Sequence, residues 1–196
     1  MKFIAHRINT IKELKKVPKE YGVEVDLRDF GDRLILQHDP FKNGEDFEEY
    51  LKHYDHGTII LNIKSERIEF RVIDLLIKYK VKDYFFLDCS FPMIYLLYEQ
   101  GEKNIALRYS EYEGLDTIMN MKGKVNWVWM DYIKGYPINK DFINVIRQSN
   151  LKVCLVCPSL QKKENQIFKY KHRLEIDGFE PDAICLKLKN KSQWLS

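Results

Sequence analysis

The sequence predicts an α/β fold, a compact (β/α)8 TIM barrel of parallel strands alternating with helices, on three observations. Short apolar runs recur eight times along the chain. Between them lie amphipathic stretches with helical spacing, the rhythm of repeated βα units and a parallel sheet. Polar and charged residues collect at the C-terminal ends of the runs, the edge at which such barrels carry their chemistry.

The first run, KFIAH (2–6), leads into His6 and Arg7. The second, GVEVDL (22–27), alternates with period two, so Glu24 and Asp26 project to one face and Val23, Val25 and Leu27 to the other. DRLILQ (32–37) follows RDFG so closely that it reads as the return arm of a hairpin, which brings His38 and Asp39 back beside the carboxylates. TIILNIK (58–64) presents Asn62 and Lys64, and Ser65 after it reads as a helix N-cap. ERIEFRVIDLLIKYK and FPMIYLLYEQ are the clearest helices, on either side of the run YFFLD (84–88), which ends at Asp88. NIALRYS (104–110) carries Arg108 and Ser110, with Glu111 just beyond, and WVWMDYI (127–133) carries Asp131. Trp127 and Trp129 share a face with Asp131; such aromatics are wall packing first, and in a barrel interior they would floor a site for a sugar or polyol head group. KVCLVCP (152–158) and AICLKL (183–188), with Lys187, complete the eight.

At 196 residues the chain is short for this barrel, which typically takes about 250, and an open doubly wound sheet is the alternative. No linker, low-complexity run or internal repeat divides it, so residues 1–196 read as a single domain. The net charge of +3 is too small to argue for nucleic acid, and no basic block is interleaved with stacking aromatics. MKFIAHRINT lacks the apolar core of a signal peptide, and no segment approaches the roughly 18 apolar residues of a membrane span; the expectation is a cytoplasmic protein. Cys89, Cys154, Cys157 and Cys185 lie in or beside apolar runs, as reduced core thiols do, and no second pair completes a zinc set with Cys154 and Cys157. His53, His56 and His172 have no ligand-spaced partner.

Two carboxylates on one buried strand face repel unless a cation sits between them, which points to a hard metal ion. Arg7 can fork onto phosphate oxygens, Lys64 adds a point charge, and two histidines can divide acid and base roles. Those are the parts phosphoryl transfer needs. Each piece has a plainer reading: His6 as a hydrogen-bonded core histidine, Glu24-x-Asp26 as a solvated edge strand, His38-Asp39-Pro40 as a turn. Their order and their common place at strand ends favour the joint reading.

His6-Arg7, Glu24-x-Asp26, His38-Asp39 and Asn62-x-Lys64 resemble the ordered motifs of the glycerophosphodiester phosphodiesterases, within the phosphatidylinositol-specific phospholipase C-like phosphodiesterase superfamily. The matched motifs cover about the first third of the chain. The resemblance implies a (β/α)8 barrel and hydrolysis of a small phosphodiester through a cyclic phosphate formed by a neighbouring substrate hydroxyl. It implies His6 and His38 as general acid and base, Arg7 and Lys64 as phosphate holders, and Glu24, Asp26 and Asn62 as ligands of Mg²⁺ or Ca²⁺. Two departures stand out. The family's loop after His-Arg is longer and ends in Pro-Glu-Asn-Thr, whereas this chain runs straight into Ile8-Asn9-Thr10; and Asn62 stands where the family has a third carboxylate, which removes a negative charge and lowers the expected cation affinity. Asp88, Glu111 and Asp131 are candidates for the missing ligand, and a catalytically weak or inactive binder of a phosphorylated ligand is the alternative function.

Overall fold

The computed structural model describes residues 1–195. Its backbone falls into two units, residues 4–101 and residues 1–3 with 102–196, each with its own strands and helices.

In chain order the first elements are β1 (Lys2–Ala5), α1 (Ile11–Leu14), β2 (Gly22–Phe30), β3 (Arg33–Leu36), β4 (Glu45–Asp46) and α2 (Phe47–Lys52). They are followed by β5 (Ile59–Ile63), α3 (Glu69–Lys78), β6 (Tyr84–Leu87) and α4 (Phe91–Glu99). Strand β2 is the spine of the unit at 4–101. It pairs in parallel with the end of β1, Ala5 opposite Val23, and on its other side with β5, Val23 to Leu27 opposite Ile59 to Ile63. β5 pairs in turn with β6, also in parallel. Close approach of β2 to the chain entering β5 depends on Gly22, where a Cβ would collide with the backbone carbonyl of Thr58.

Past Leu27, β2 continues as one arm of the expected hairpin. It pairs antiparallel with β3, Leu27 opposite Leu36 and Phe30 opposite Arg33, and Gly31 at φ +60 makes the two-residue turn. The two-residue β4, not foreseen from the sequence, adds antiparallel to β3.

Helix α3 packs by its Val72 and Leu76, one turn apart, with Ile68 just before it. It begins at Glu69, later than an N-cap at Ser65 predicts. Arg67 takes a left-handed backbone at φ 67, which interrupts helical geometry, and the Ser65 hydroxyl is engaged instead by the Asp29 N–H at 3.4 Å.

The unit at 102–196 holds β7 (Ala106–Tyr109), α5 (Leu115–Asn120), β8 (Trp127–Met130), α6 (Lys140–Ser149), β9 (Lys152–Val156), α7 (Ile167–Ile176), β10 (Ala183–Leu186) and α8 (Ser192–Leu195). Its four strands run parallel in the order β7-β8-β9-β10. Helix α6 is capped by Asn139, whose side chain accepts from the Phe142 N–H at 2.8 Å, and it buries Phe142, Ile143 and Ile146. Phe142 stacks on Tyr109 of β7 with ring centres 4.4 Å apart.

The chain is therefore an α/β protein in which parallel strands alternate with helices, and the eight apolar runs are β1, β2 and β5 to β10. All four cysteines are free thiols, three of them buried. No helix among the described residues is long and apolar enough to cross a membrane.

Candidate active site

The geometry begins where β1 ends. Arg7 adopts φ 56, a left-handed turn that costs a non-glycine residue about 1–3 kcal/mol. The turn aims the Arg7 N–H at Glu24 Oε2, 2.7 Å away, and the next amide, Ile8, donates to the Glu24 carbonyl at 2.8 Å. Asn9 then pairs with Asp26 twice: its Nδ2 donates to Asp26 Oδ2 and its Oδ1 accepts from the Asp26 amide, both at 2.8 Å. The buried Tyr50 hydroxyl, donating to the Ile8 carbonyl at 3.0 Å, holds this short loop from α2. The short loop after β1 is thus docked on Glu24 and Asp26 by four hydrogen bonds, two to their carboxylates and two to their backbone.

Strand β2 delivers Glu24 and Asp26 to one face, both 1% exposed, while Val23, Val25 and Leu27 are buried on the other. Strand β5 places Asn62 opposite Asp26 in register. Asn62 Nδ2 donates to Glu24 Oε1 at 2.8 Å. Lys64 follows at the end of β5, its Nζ 3.7 Å from Asp26 Oδ1 and 3.4 Å from Asp88 Oδ2. Arg7 Nε lies 3.4 Å from Asp26 Oδ2, and His6 Nε2 lies 3.8 Å from Glu24 Oε2. Six of the seven sequence-predicted site residues are thus gathered by direct contact: His6, Arg7, Glu24, Asp26, Asn62 and Lys64.

The seventh, His38, arrives through the hairpin. The Gln37 amide donates to the Asp26 carbonyl at 2.9 Å, which fixes the backbone next to His38 at the level of the carboxylates. The His38 ring Nδ1 lies 2.8 Å from Asp39 Oδ1, and Lys42 holds the other Asp39 oxygen at 2.8 Å. Hydrogen bonding to His38 and Lys42 brings the Asp39 carboxyl down to about 2. The contact commits Nδ1 of His38 to Asp39.

Electrostatically the cluster is short of positive charge. Glu24, Asp26 and Asp88 stand against the two fixed cations Arg7 and Lys64. Burial, and then the Asp26 charge, push the Glu24 carboxyl up to about 7, against the lowering effects of Asn62, the Arg7 amide and Lys64. Asp26 Oδ1 and Asn62 Oδ1 are both buried without a hydrogen-bond partner. Two unsatisfied oxygens on residues paired across β2 and β5 are the donor chemistry a hard divalent cation takes, so Asp26 and Asn62, with Glu24 beside them, fit such an ion. Among the described residues no group of three or more His, Cys, Asp or Glu is arranged to hold a metal.

Two residues of the cluster carry more than the sequence reading gave them. Asn9, to which the sequence reading assigns no role, holds Asp26 by two hydrogen bonds. Asp88, one of three candidates for a further ligand, reaches the cluster through its contact with Lys64, from a left-handed backbone at φ 62. The other two candidates have their own partners in the unit at 102–196. Asp131 is ion-paired with Arg108 and accepts from Trp129 Nε1 at 3.3 Å, and Glu111 accepts from the Lys134 amide at 2.9 Å. Trp127 and Trp129 are buried, as wall packing requires.

No protein-family model and no curated protein matches the sequence. Solved structures do match it in fold. A glycerophosphodiester phosphodiesterase from Agrobacterium tumefaciens str. C58 superposes with a TM-score of 0.71 at 15% identity, over 100% of both chains. A glycerophosphoryl diester phosphodiesterase from Parabacteroides distasonis ATCC 8503 superposes with a TM-score of 0.65 at 14% identity, over 94% of this chain and 81% of the other. In fold, this chain is glycerophosphodiester phosphodiesterase-like.

Proposed function

We propose that this chain is a metal-dependent phosphodiesterase that cleaves a small phosphodiester with a polyol or sugar head group, on a single barrel domain spanning residues 1–196. The observation that carries the reading is the pair of buried oxygens without a hydrogen bond, Asp26 Oδ1 and Asn62 Oδ1, on residues that contact Glu24, Lys64 and Arg7. Glu24, Asp26 and Asn62 would hold Mg²⁺ or Ca²⁺. Such an ion supplies charge neutralisation at the phosphoryl oxygens.

The chain's own side chains do the rest. Arg7, half-exposed beside Asp26, and Lys64 orient the phosphate. His38, with Nδ1 bound to Asp39, takes the proton of the attacking hydroxyl on Nε2, and Asp39 steadies the imidazolium that forms. His6, beside Glu24, gives a proton to the leaving oxygen.

A second reading has its own observation. The Asn62 amide already serves Glu24 Oε1, so the site has given up one charge and committed one carboxylate oxygen. A binder of phosphorylated ligands without turnover would look the same. Calorimetric titration of chelator-treated protein with Mg²⁺, Ca²⁺ and Mn²⁺ separates them, run on wild type, Asn62→Glu and Glu24→Ala/Asp26→Ala. The phosphodiesterase reading predicts binding by wild type that tightens in Asn62→Glu and vanishes in the double variant. Binding by Asn62→Glu alone would hand the lead to the inactive binder.

A further inference from the structure

The unit at 102–196 contains a cavity of about 690 Å³, within the range of small-molecule sites, and none of the candidate active-site residues lines it. Its walls are the loop leaving the C-terminal end of β8 and the segment that leaves β9 and becomes α7. In open parallel sheets the loops at strand C-termini are where ligands bind. Three tyrosines form one side of it. Tyr132 and Tyr136 each meet Tyr170 edge-on, with ring centres 4.9 Å apart.

The charge on this wall is one-sided. Lys134, Lys163, Lys169 and Arg173 line the cavity and no carboxylate does, although the whole chain is close to balanced. The cations are set against the rings: Lys163 Nζ lies 4.8 Å from the centre of Tyr132, and the Arg173 guanidinium 5.6 Å from that of Tyr136. Lys163 also donates to the carbonyls of Ile133 and Lys134, which ties the two walls together. Only Arg173 among the four has a close carboxylate among the described ion pairs, Asp177 at 3.3 Å, and Asp177 lies outside the cavity lining.

From this arrangement we infer that the cavity is a second ligand site, built for a phosphate ester with a flat, ring-bearing body. Several cationic side chains lining one cavity suit the multiple charge of a phosphate better than a single carboxylate. The tyrosine wall and the exposed Ile176 give the cavity an apolar lining next to them. The site is independent of the phosphodiesterase reading, since it shares no residue with the carboxylate cluster.

Calorimetry on the full chain tests it, with adenosine 5′-monophosphate as probe and adenosine, inorganic phosphate and benzoate as partial ligands. The expected result is binding of the nucleotide at least about tenfold tighter than any of the three, because charge and ring each contribute. Lys169→Gln/Arg173→Gln, on the exposed face of α7, should weaken the nucleotide by about tenfold while the thermal melt stays in place. Tyr136→Leu should weaken the nucleotide and leave inorganic phosphate unchanged. If the double variant fails to fold, Lys169→Gln alone, an exposed change, carries the same comparison. Absence of nucleotide binding, binding unaffected by these variants, or inorganic phosphate or benzoate binding as tightly as the nucleotide would each overturn the assignment.

Discussion

At the scale of single residues, the candidate site is a contest between burial and neutralisation. Glu24 loses: buried beside Asp26, its carboxyl rises from the ordinary 4.5 to about 7. A carboxyl that binds its proton more tightly folded than unfolded lends stability below about pH 4.5 and forfeits it as the pH climbs through 7. Cation-free protein should therefore lose about 2 kcal/mol from this group between about pH 5.5 and about pH 8. Glu24→Gln keeps the shape but has no proton to lose. Thermal or denaturant melts at the two pH values, in chelator, should show a shallower decline in the variant; equal declines would mean Glu24 titrates normally. Much of this residue-level picture was legible in the sequence, because period-two alternation alone puts Glu24 with Asp26 and Asn62 with Lys64. What alternation does not give is the direction of the Asn62 amide, or the double hydrogen bond from Asn9, since both depend on a loop whose backbone turns at the left-handed Arg7.

At the scale of elements, β2 does two jobs with one strand. Its first half pairs with β1 and β5 and points the carboxylates; its second half turns back through Gly31 into β3 and returns His38. The hairpin could be read from the close spacing of RDFG and DRLILQ, whereas the start of α3 could not, because the left-handed Arg67 interrupts a helix opening at Ser65. The β2 to β5 register depends on the missing side chain at Gly22. Gly22→Ala would drive a Cβ into the backbone carbonyl of Thr58 and should cost about 1–3 kcal/mol in chemical denaturation. Because the shift falls at the strand pair that sets Asp26 opposite Asn62, cation affinity should drop with stability. A variant as stable as wild type would show that β2 and β5 have room to spare.

At the scale of the whole molecule, the alternation of strands and helices was the most legible feature, since eight apolar runs separated by amphipathic helices leave few other arrangements. The tyrosine-lined cavity was not legible, because Tyr132, Tyr136 and Tyr170 come from a loop and a helix that only the folded β8 to α7 segment unites. Likeness in fold to glycerophosphodiester phosphodiesterases frames the question of activity, and the side chains gathered at the ends of β1, β2, β3 and β5 are the basis of the catalytic proposal. The most direct test is release of phosphomonoester from glycerophosphodiesters by wild type and by His38→Ala, each with Mg²⁺ or Ca²⁺ and with chelator. The account predicts turnover by wild type that chelator removes and that His38→Ala lowers by about 10² to 10⁴. Phosphodiester bound but never cleaved, or cleaved equally well without His38, would contradict it.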